Sequence, residues 1–271
     1  MSILEISGLE KTYDEGTKAL DGIDLEVESG EFVVIIGSSG AGKSTMLRCI
    51  NQLVEPTGGQ CRFDGMDLST CSGKQLRAAR QNVGMVFQQF NLVDRLTAIE
   101  NVLTGDLSGL GLLNTLLKRF PEENRKEAYS LLSKVSIADQ ATQRADTLSG
   151  GQQQRVGLAR MMYQSPKVIL ADEPIASLDP QSAETVMEQL HAYCRDESVP
   201  VLVNLHQVDI ALEYADRIVG LSDGTKVYDG PTDGLDEECI DMIYDESVAE
   251  VSDGTVSIER DQPPAELTET A

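Results

Sequence analysis

One run of residues near the N-terminus constrains this chain more than any other feature. Gly37-Ser38-Ser39-Gly40-Ala41-Gly42-Lys43-Ser44-Thr45 fits the pattern G-x-x-x-x-G-K-[ST] of a phosphate-binding loop. The apolar segment Glu31–Ile36 precedes it, and a helical pattern over Lys43–Leu53 follows. Glycines let the backbone turn its N–H groups towards a phosphate, and the helix adds the positive end of its dipole. This strand–loop–helix order predicts the start of a parallel α/β unit.

A second segment predicts the acids that such a loop needs. Val168–Ala171 is an apolar strand, and it delivers the carboxylates Asp172 and Glu173 at its carboxyl end, where α/β folds bind ligands. Lys43 is predicted to neutralise the β- and γ-phosphates, and the Ser44 hydroxyl to bind Mg²⁺. Asp172 suits the outer shell of the same ion, and Glu173 suits the general base that polarises the attacking water.

A third motif predicts another anion-binding helix start. Leu148-Ser149-Gly150-Gly151-Gln152 opens a helix that carries Arg155 and Arg160. Ser149 is a good N-cap, and the two glycines expose backbone N–H groups. An ordinary helix cap would not need both glycines.

Together these three motifs resemble those of the ABC ATPase family, and the resemblance covers residues 1–245. It implies a P-loop NTPase fold of the α/β class, with a β-rich N-terminal subdomain and a helical insertion at about residues 97–160 that carries the signature motif. It also implies ATP and Mg²⁺ as ligands. In the family the signature pentapeptide, here with Ser149, Gly151 and Gln152, binds the γ-phosphate that the opposite subunit holds.

Four further positions match the family's motifs one by one. Tyr13 looks like the aromatic residue that stacks on adenine, and Gln88 resembles the glutamine that touches Mg²⁺ and senses the permease. Ser177-Leu178-Asp179 resembles the D-loop that crosses the dimer interface. His206 looks like the switch histidine that contacts the γ-phosphate. The resemblance therefore implies that Lys43, Gln88, Glu173 and His206 serve catalysis.

A single phosphate-binding loop supplies half a site, so the resemblance implies a head-to-tail homodimer. The expected partners are two transmembrane permease subunits and an extracytoplasmic substrate-binding protein, with this chain at the cytoplasmic face of the membrane. Four stretches resemble the phosphonate-import subfamily: Phe87–Val93, Glu173–Pro180, Asn204–Asp209 and Tyr214–Leu221. Importers of phosphate, methionine or polar amino acids, a lipoprotein-releasing system and a non-transport ABC ATPase remain as alternatives.

The net charge of −23 is the unusual property of the composition. Residues 246–271 hold seven acids and one arginine, a net −6, so −17 belongs to the rest of the chain. Acids number 45 against nine lysines, which predicts a halophilic source and a surface that repels nucleic acid. The five scattered cysteines predict free thiols, and the chain has neither a signal-peptide pattern nor an apolar run of membrane-spanning length.

Hydrophobic periodicity predicts the remaining elements. The predicted strands are Ile3–Leu9, Leu20–Val27, Gln60–Phe63, Val83–Phe87 and Val199–Leu205, with a β-rich stretch over Arg217–Tyr228. The predicted helices are Lys74–Arg80, Gly151–Tyr163, Gln181–Arg195 and one near Pro231–Tyr244, besides a mostly helical Thr97–Val135 with Pro121 in a first turn. Glu246–Ala271 is predicted to be a disordered acidic tail.

Overall fold

A six-stranded sheet positions the residues of interest in the computed structural model, which describes residues 2–106 and 120–244. Its strands, in spatial order, are β10 (Thr225–Gly230), β9 (Arg217–Ser222), β3 (Phe32–Ile36), β8 (Val201–Asn204), β7 (Val168–Asp172) and β6 (Val83–Phe87). All neighbouring pairs from β9 to β6 are parallel, and β10 is antiparallel to β9. The carboxyl ends of the parallel strands therefore share one edge of the sheet.

The central strands are apolar because both of their faces are covered. Every residue of β3 and of β7 is buried, and along β8 Val201 and Val203 pack into one hydrophobic core while Leu202 packs into the other. Fully burying one such aliphatic side chain contributes about 1.5–3 kcal/mol to folding. The continuous apolar runs that predicted these strands are the signature of a sheet buried on both sides.

A second sheet of four antiparallel strands covers one of these faces. It contains β1 (Ser2–Thr12), β2 (Lys18–Glu28), β4 (Gly58–Phe63) and β5 (Met66–Asp67), in the order β2-β1-β4-β5. Alternate residues of β2 are buried, and they pack with helix α1 (Lys43–Ile50) into a common core. The β-rich opening predicted from the sequence is confirmed.

Helices cover the opposite face of the six-stranded sheet. Besides α1, the helices of the described residues, on either face, are α2 (Gly73–Gln81), α3 (Ala98–Leu103), α4 (Glu122–Lys134), α5 (Gly150–Tyr163), α6 (Pro180–Glu197), α7 (Val208–Tyr214) and α8 (Glu237–Tyr244). Apolar residues of α3, α4, α5 and α6 share one core with β7 and β8. The predicted α/β class is confirmed, and so is the helical character of Thr97–Val135 outside residues 107–119, which the structure does not describe.

Several predicted boundaries were wrong. Helix α1 ends at Ile50 rather than Leu53, and Gln52 adopts a left-handed backbone with φ 54°. Pro121 lies at the N-cap position of α4, one residue before the first turn. Strand β8 is shorter than Val199–Leu205, and the last helix begins at Glu237, after a 3₁₀ turn.

Two compositional predictions can be compared with the structure. The five cysteines are free thiols, as expected. Within residues 2–106 and 120–244, no helix has both the length and the apolar character needed to cross a membrane. The acidic tail Glu246–Ala271 lies outside the described residues, so the domain boundary at residue 245 stays a prediction.

Candidate functional site

The predicted phosphate-binding loop connects the carboxyl end of β3 to the first residue of α1. Gly42 has φ 100°, and a Cβ atom there would lie 2.4 Å from the backbone oxygen of Ala19. A side chain is excluded at this position by backbone strain and by contact with β2. The loop lines a cavity of about 180 Å³ together with Glu173 and His206. The structure thus brings Glu173 and His206, which are distant from the loop in the sequence, into one cavity with it.

Lys43 is folded back over this loop. Its Nζ atom donates hydrogen bonds to the backbone oxygens of Gly37 (2.6 Å) and Ser38 (2.8 Å), and the residue is 4% exposed. Burial lowers the pKa of the Lys43 ammonium, and the nearby charges of Glu173 and Asp172 oppose that shift. Lys43 is therefore held at the loop by backbone carbonyls, and it lines the cavity that would receive a phosphate.

Asp172 is the last residue of β7, and it is buried among hydrogen-bond donors. Its Oδ1 accepts from Ser44 Oγ at 2.6 Å and from Asn204 Nδ2 at 3.0 Å, and its Oδ2 accepts from Arg48 Nη2 at 3.2 Å. Hydroxyl and carboxylate oxygens are the ligands that Mg²⁺ prefers in proteins. The side chains of Ser44 and Asp172 therefore fit the ion that the sequence predicts, and they are already in contact.

Glu173 and His206 form a pair at the rim of the same cavity. Glu173 follows β7 directly and has a left-handed backbone with φ 50°, which is a strained conformation for a residue with a side chain. Its Oε1 lies 2.7 Å from Nε2 of His206, which follows β8 by two residues. A carboxylate held by an imidazole beside a phosphate loop can accept a proton from water. His191, by contrast, lies on α6 and contacts the rings of Phe32 and Tyr214.

The glycine-rich start of α5 faces a different part of the molecule. Ser149 caps α5, and its capping box with Gln152 pairs each backbone N–H with the other side chain, at 3.4 Å and 2.9 Å. A Cβ atom on Gly151 would lie 2.5 Å from Oγ of Ser182, so this helix start packs against the start of α6, which Asp179 caps. Hydrogen bonds to Ser182 lower the pKa of the Asp179 carboxyl.

Two further predicted residues flank the cavity without lining it. Gln88 follows β6 immediately and is exposed, and the next segment is tied to α5 because Arg160 donates to the backbone oxygens of Phe90 and Asn91. The Tyr13 hydroxyl lies 3.3 Å from Oγ1 of Thr45, and the ammonium of Lys11 lies 5.2 Å from the Tyr13 ring centroid. Tyr13 is therefore beside the phosphate loop, as an adenine-stacking residue would be.

Sequence reasoning missed two residues of this site. Asn204 donates to Asp172, and a polar residue at the end of an otherwise apolar strand was the available signal. Gln154, on α5, is 1% exposed, and its Nε2 donates to the backbone oxygen of Pro174 at 2.6 Å. This bond joins the helix that Ser149 caps to the strained turn at Glu173. Nothing in the local sequence distinguishes Gln154 from the glutamines next to it.

Comparison with known proteins gives one consistent family. The profile of the family described as ABC transporter matches residues 20–176, more than half of the chain. A protein of Haloarcula marismortui named phosphonates import ATP-binding protein PhnC 2 is 48% identical over 250 residues, which cover 92% of each chain. A protein of the same name from Oceanobacillus iheyensis is 50% identical over 244 residues, which cover 90% of this chain and 96% of its own.

Solved structures agree with these relatives. One is described as the dimeric structure of a post-hydrolysis state of the ATP-binding cassette MJ0796 bound to ADP and Pi; it is 35% identical, with a TM-score of 0.74 over 84% of this chain and 98% of its own. Another, cbiO1 from Clostridium perfringens, is described as part of the ABC transporter complex cbiONQ. It is 28% identical, with a TM-score of 0.76 over 88% of this chain and 92% of its own.

The position of Lys43 predicts the consequence of its removal. In Lys43→Ala we expect nucleotide affinity to fall roughly 10- to 100-fold, because a charge-assisted hydrogen bond to a phosphate is lost. Calorimetric titration with ADP measures this change. Lys167→Ala is the matched control, since Lys167 pairs with Asp64 on the surface. Wild-type affinity in Lys43→Ala would contradict the assignment of this loop to phosphate binding.

Proposed function

The chain belongs to the ABC transporter family and has its P-loop α/β fold, and from this premise we propose that it is the ATP-hydrolysing subunit of a phosphonate importer. The cavity shared by the phosphate loop, Glu173 and His206 is the observation that supports ATP hydrolysis. Phosphonate as the transported substrate is supported by relatives named phosphonates import ATP-binding protein. They are about half identical to this chain and match it over nearly their whole length.

The proposed mechanism assigns one task to each residue of the cavity. The backbone of the loop over residues 37–42 and the start of α1 bind the β- and γ-phosphates of ATP, and Lys43 neutralises their charge. Glu173 accepts a proton as the oxygen of a water molecule attacks the γ-phosphorus, and the bond to the β-phosphate oxygen breaks to release ADP and phosphate. His206 holds the Glu173 carboxylate, and its place in the lining of the cavity supports a contact with the γ-phosphate.

Ser44, Asp172 and Gln88 are the residues that would hold Mg²⁺. The ion supplies positive charge that offsets the charge of the phosphate oxygens. Ser44 and Asp172 are in contact through a 2.6 Å hydrogen bond, whereas Gln88 is exposed beside β6. Gln88 follows Phe87, which is opposite Asp172 in the register of the sheet, and its exposure suits a residue that also reports on the permease.

A second copy of this chain is proposed to complete the site. Ser149, Gly151, Gln152 and Asp179 are not among the described residues that line the phosphate cavity, which supports the proposal that they serve the cavity of a second copy. A head-to-tail dimer joins the phosphate loop of one copy to the α5 start of the other. The dimeric MJ0796 structure bound to ADP and Pi is similar to this chain over most of its length, which supports the arrangement.

The partners and location follow from the proposed transport role. Two permease subunits in the membrane and an extracytoplasmic substrate-binding protein would complete the importer, and this subunit would lie peripherally at the cytoplasmic face. The acidic surface, with its net charge of −23 over the chain, supports an origin in a high-salt environment.

Glu173→Gln tests the proposed base. We expect the rate of phosphate release to fall about 10²- to 10⁴-fold, the contribution of a general base, while nucleotide binding persists and ATP-bound dimers accumulate. A phosphate-release assay and size-exclusion chromatography with ATP measure the two effects. Glu188→Gln, on the exposed side of α6, is the control. Unchanged hydrolysis in Glu173→Gln would refute this role.

Growth of a deletion strain tests the cargo. Without this gene, and with no redundant importer, the strain is expected not to grow on a phosphonate as sole phosphorus source, and to grow normally on inorganic phosphate. The wild-type gene should restore growth, whereas the Lys43→Ala gene should not. Growth on phosphonate without the gene would reject the phosphonate assignment and favour a phosphate, methionine or polar amino acid importer.

Salt dependence tests the proposal about the environment. Raising KCl from 0.1 M to 1 M shortens the Debye length from about 10 Å to about 3 Å, which screens the repulsion among surface carboxylates. We expect the melting temperature to rise by at least about 5 °C, on the order of 2 kcal/mol for a chain of this size. Sucrose is the control, because it stabilises folded proteins by being excluded from their surface and does not screen charge. An equal rise in sucrose, or none in KCl, would contradict the proposal.

A further inference from the structure

Asn204 lies at the end of β8, the strand that separates the phosphate loop from the acids Asp172 and Glu173. Strand β8 lies between β3, which leads into the phosphate loop, and β7, which ends in Asp172. In the register of the sheet, Asn204 is opposite Ile35 on one side and Asp172 on the other. A side chain at this position is therefore placed by two neighbouring strands rather than by a loop.

The two polar atoms of the Asn204 side chain differ in whether they have a hydrogen-bond partner. Its side chain is fully buried, and Nδ2 donates to Oδ1 of Asp172 at 3.0 Å. Its Oδ1 is buried without a hydrogen-bond partner among the described residues. A buried acceptor without a partner destabilises the folded state, and a valine, like Val201 and Val203 in the same strand, would remove it. The hydrogen bond to Asp172 is thus what Asn204 adds at this position.

Asn204 differs from the other two donors to Asp172. Ser44 belongs to the loop–helix junction that contacts the phosphates, and the Arg48 side chain is 50% exposed. Only Asn204, of these three, is both fully buried and carried by a strand of the central sheet. It is the donor whose position is least free to change when a ligand enters the cavity.

The end of β8 also supplies the partner of the next acid. Asn204 donates to Asp172, and His206, two residues later, contacts Glu173. Two consecutive acids at the carboxyl end of β7 are therefore each held by a residue at the end of the adjacent strand. This juxtaposition gives a physical role to Asn204, which the sequence offered only as part of the family resemblance over Asn204–Asp209.

We propose that Asn204 is a positioning residue that holds the Asp172 carboxylate in the orientation that serves the outer shell of the Mg²⁺ of the nucleotide. The proposal rests on the proposed ATPase function, because it assumes that Asp172 serves that ion. Asn204 itself touches neither the ion nor the nucleotide. Its loss changes the affinity for Mg²⁺ and leaves the phosphate loop intact.

The experiment measures Mg²⁺ binding rather than turnover. Mg²⁺ is titrated into protein saturated with a fluorescent ADP analogue, and binding of ADP is measured separately in EDTA. In Asn204→Val we expect the apparent affinity for Mg²⁺ to fall roughly 10-fold, the lower end of the usual effect of losing a group of the outer shell. ADP affinity in EDTA should stay at the wild-type value. Asn204→Ala provides the same loss if the valine variant does not fold.

Asn51→Val is the matched control, because Asn51 is also a buried asparagine with an unpartnered Oδ1 and its amide donates to Met85 Sδ, away from Asp172. It should keep wild-type Mg²⁺ affinity. In an Asp172→Asn background, Asn204→Val should add no further loss, since both changes act through one carboxylate.

Either of two results overturns the proposal: wild-type Mg²⁺ affinity in Asn204→Val, or an equal loss of ADP affinity in EDTA. If ADP binding to the wild-type protein does not depend on Mg²⁺, the proposed nucleotide site itself is contradicted, which is a separate outcome.

Discussion

Hydrogen bonding to one buried carboxylate joins the segments on which the site depends. Asp172 is 4% exposed and accepts hydrogen bonds from Ser44 of α1, from Asn204 of β8 and from Arg48. A buried carboxyl group with so little exposure is tolerated only when its oxygens are paired, so the fold must supply these donors at one place. The parallel register of β3, β8 and β7 brings them together, and the phosphate loop, the acids and the histidine consequently meet at one edge.

The same chain carries a second predicted anion-binding element, which lies outside the lining of the phosphate cavity. Helix α5 begins at a capped, glycine-rich turn against the start of α6, and Gln154 joins it to Pro174, next to Glu173. One hydrogen bond and the packed helix therefore connect the Glu173 turn to the α5 start. In the proposed dimer each copy supplies a different half of each site, which makes hydrolysis depend on the pairing of two chains. The Arg160 contacts with Phe90 and Asn91 extend this connection to the segment after Gln88.

Prediction from the sequence succeeded where chemistry restricts the residue types. The phosphate loop needs glycines, as Gly42 illustrates with φ 100° and the Ala19 backbone in its way, and the acids must follow an apolar strand. It failed where local signals are short or depend on one backbone angle. Helix α7 (Val208–Tyr214) was missed, and the left-handed Gln52 after α1 was not foreseen. Gln154 and Asn204 were missed because their partners, Pro174 and Asp172, are distant in the sequence.

By itself the sequence determined the family, the α/β class and the position of each motif, because phosphate binding requires particular residues at fixed spacing. It also determined the net charge and the absence of cysteine pairs at metal-binding spacing. The tertiary structure alone decided which motifs share a cavity: Glu173 and His206 join the phosphate loop, whereas the α5 start does not. It also decided that Asn204 contacts Asp172. Such pairings depend on strand order and register, which arise from the packing of the whole sheet and leave no local trace in the order of residues.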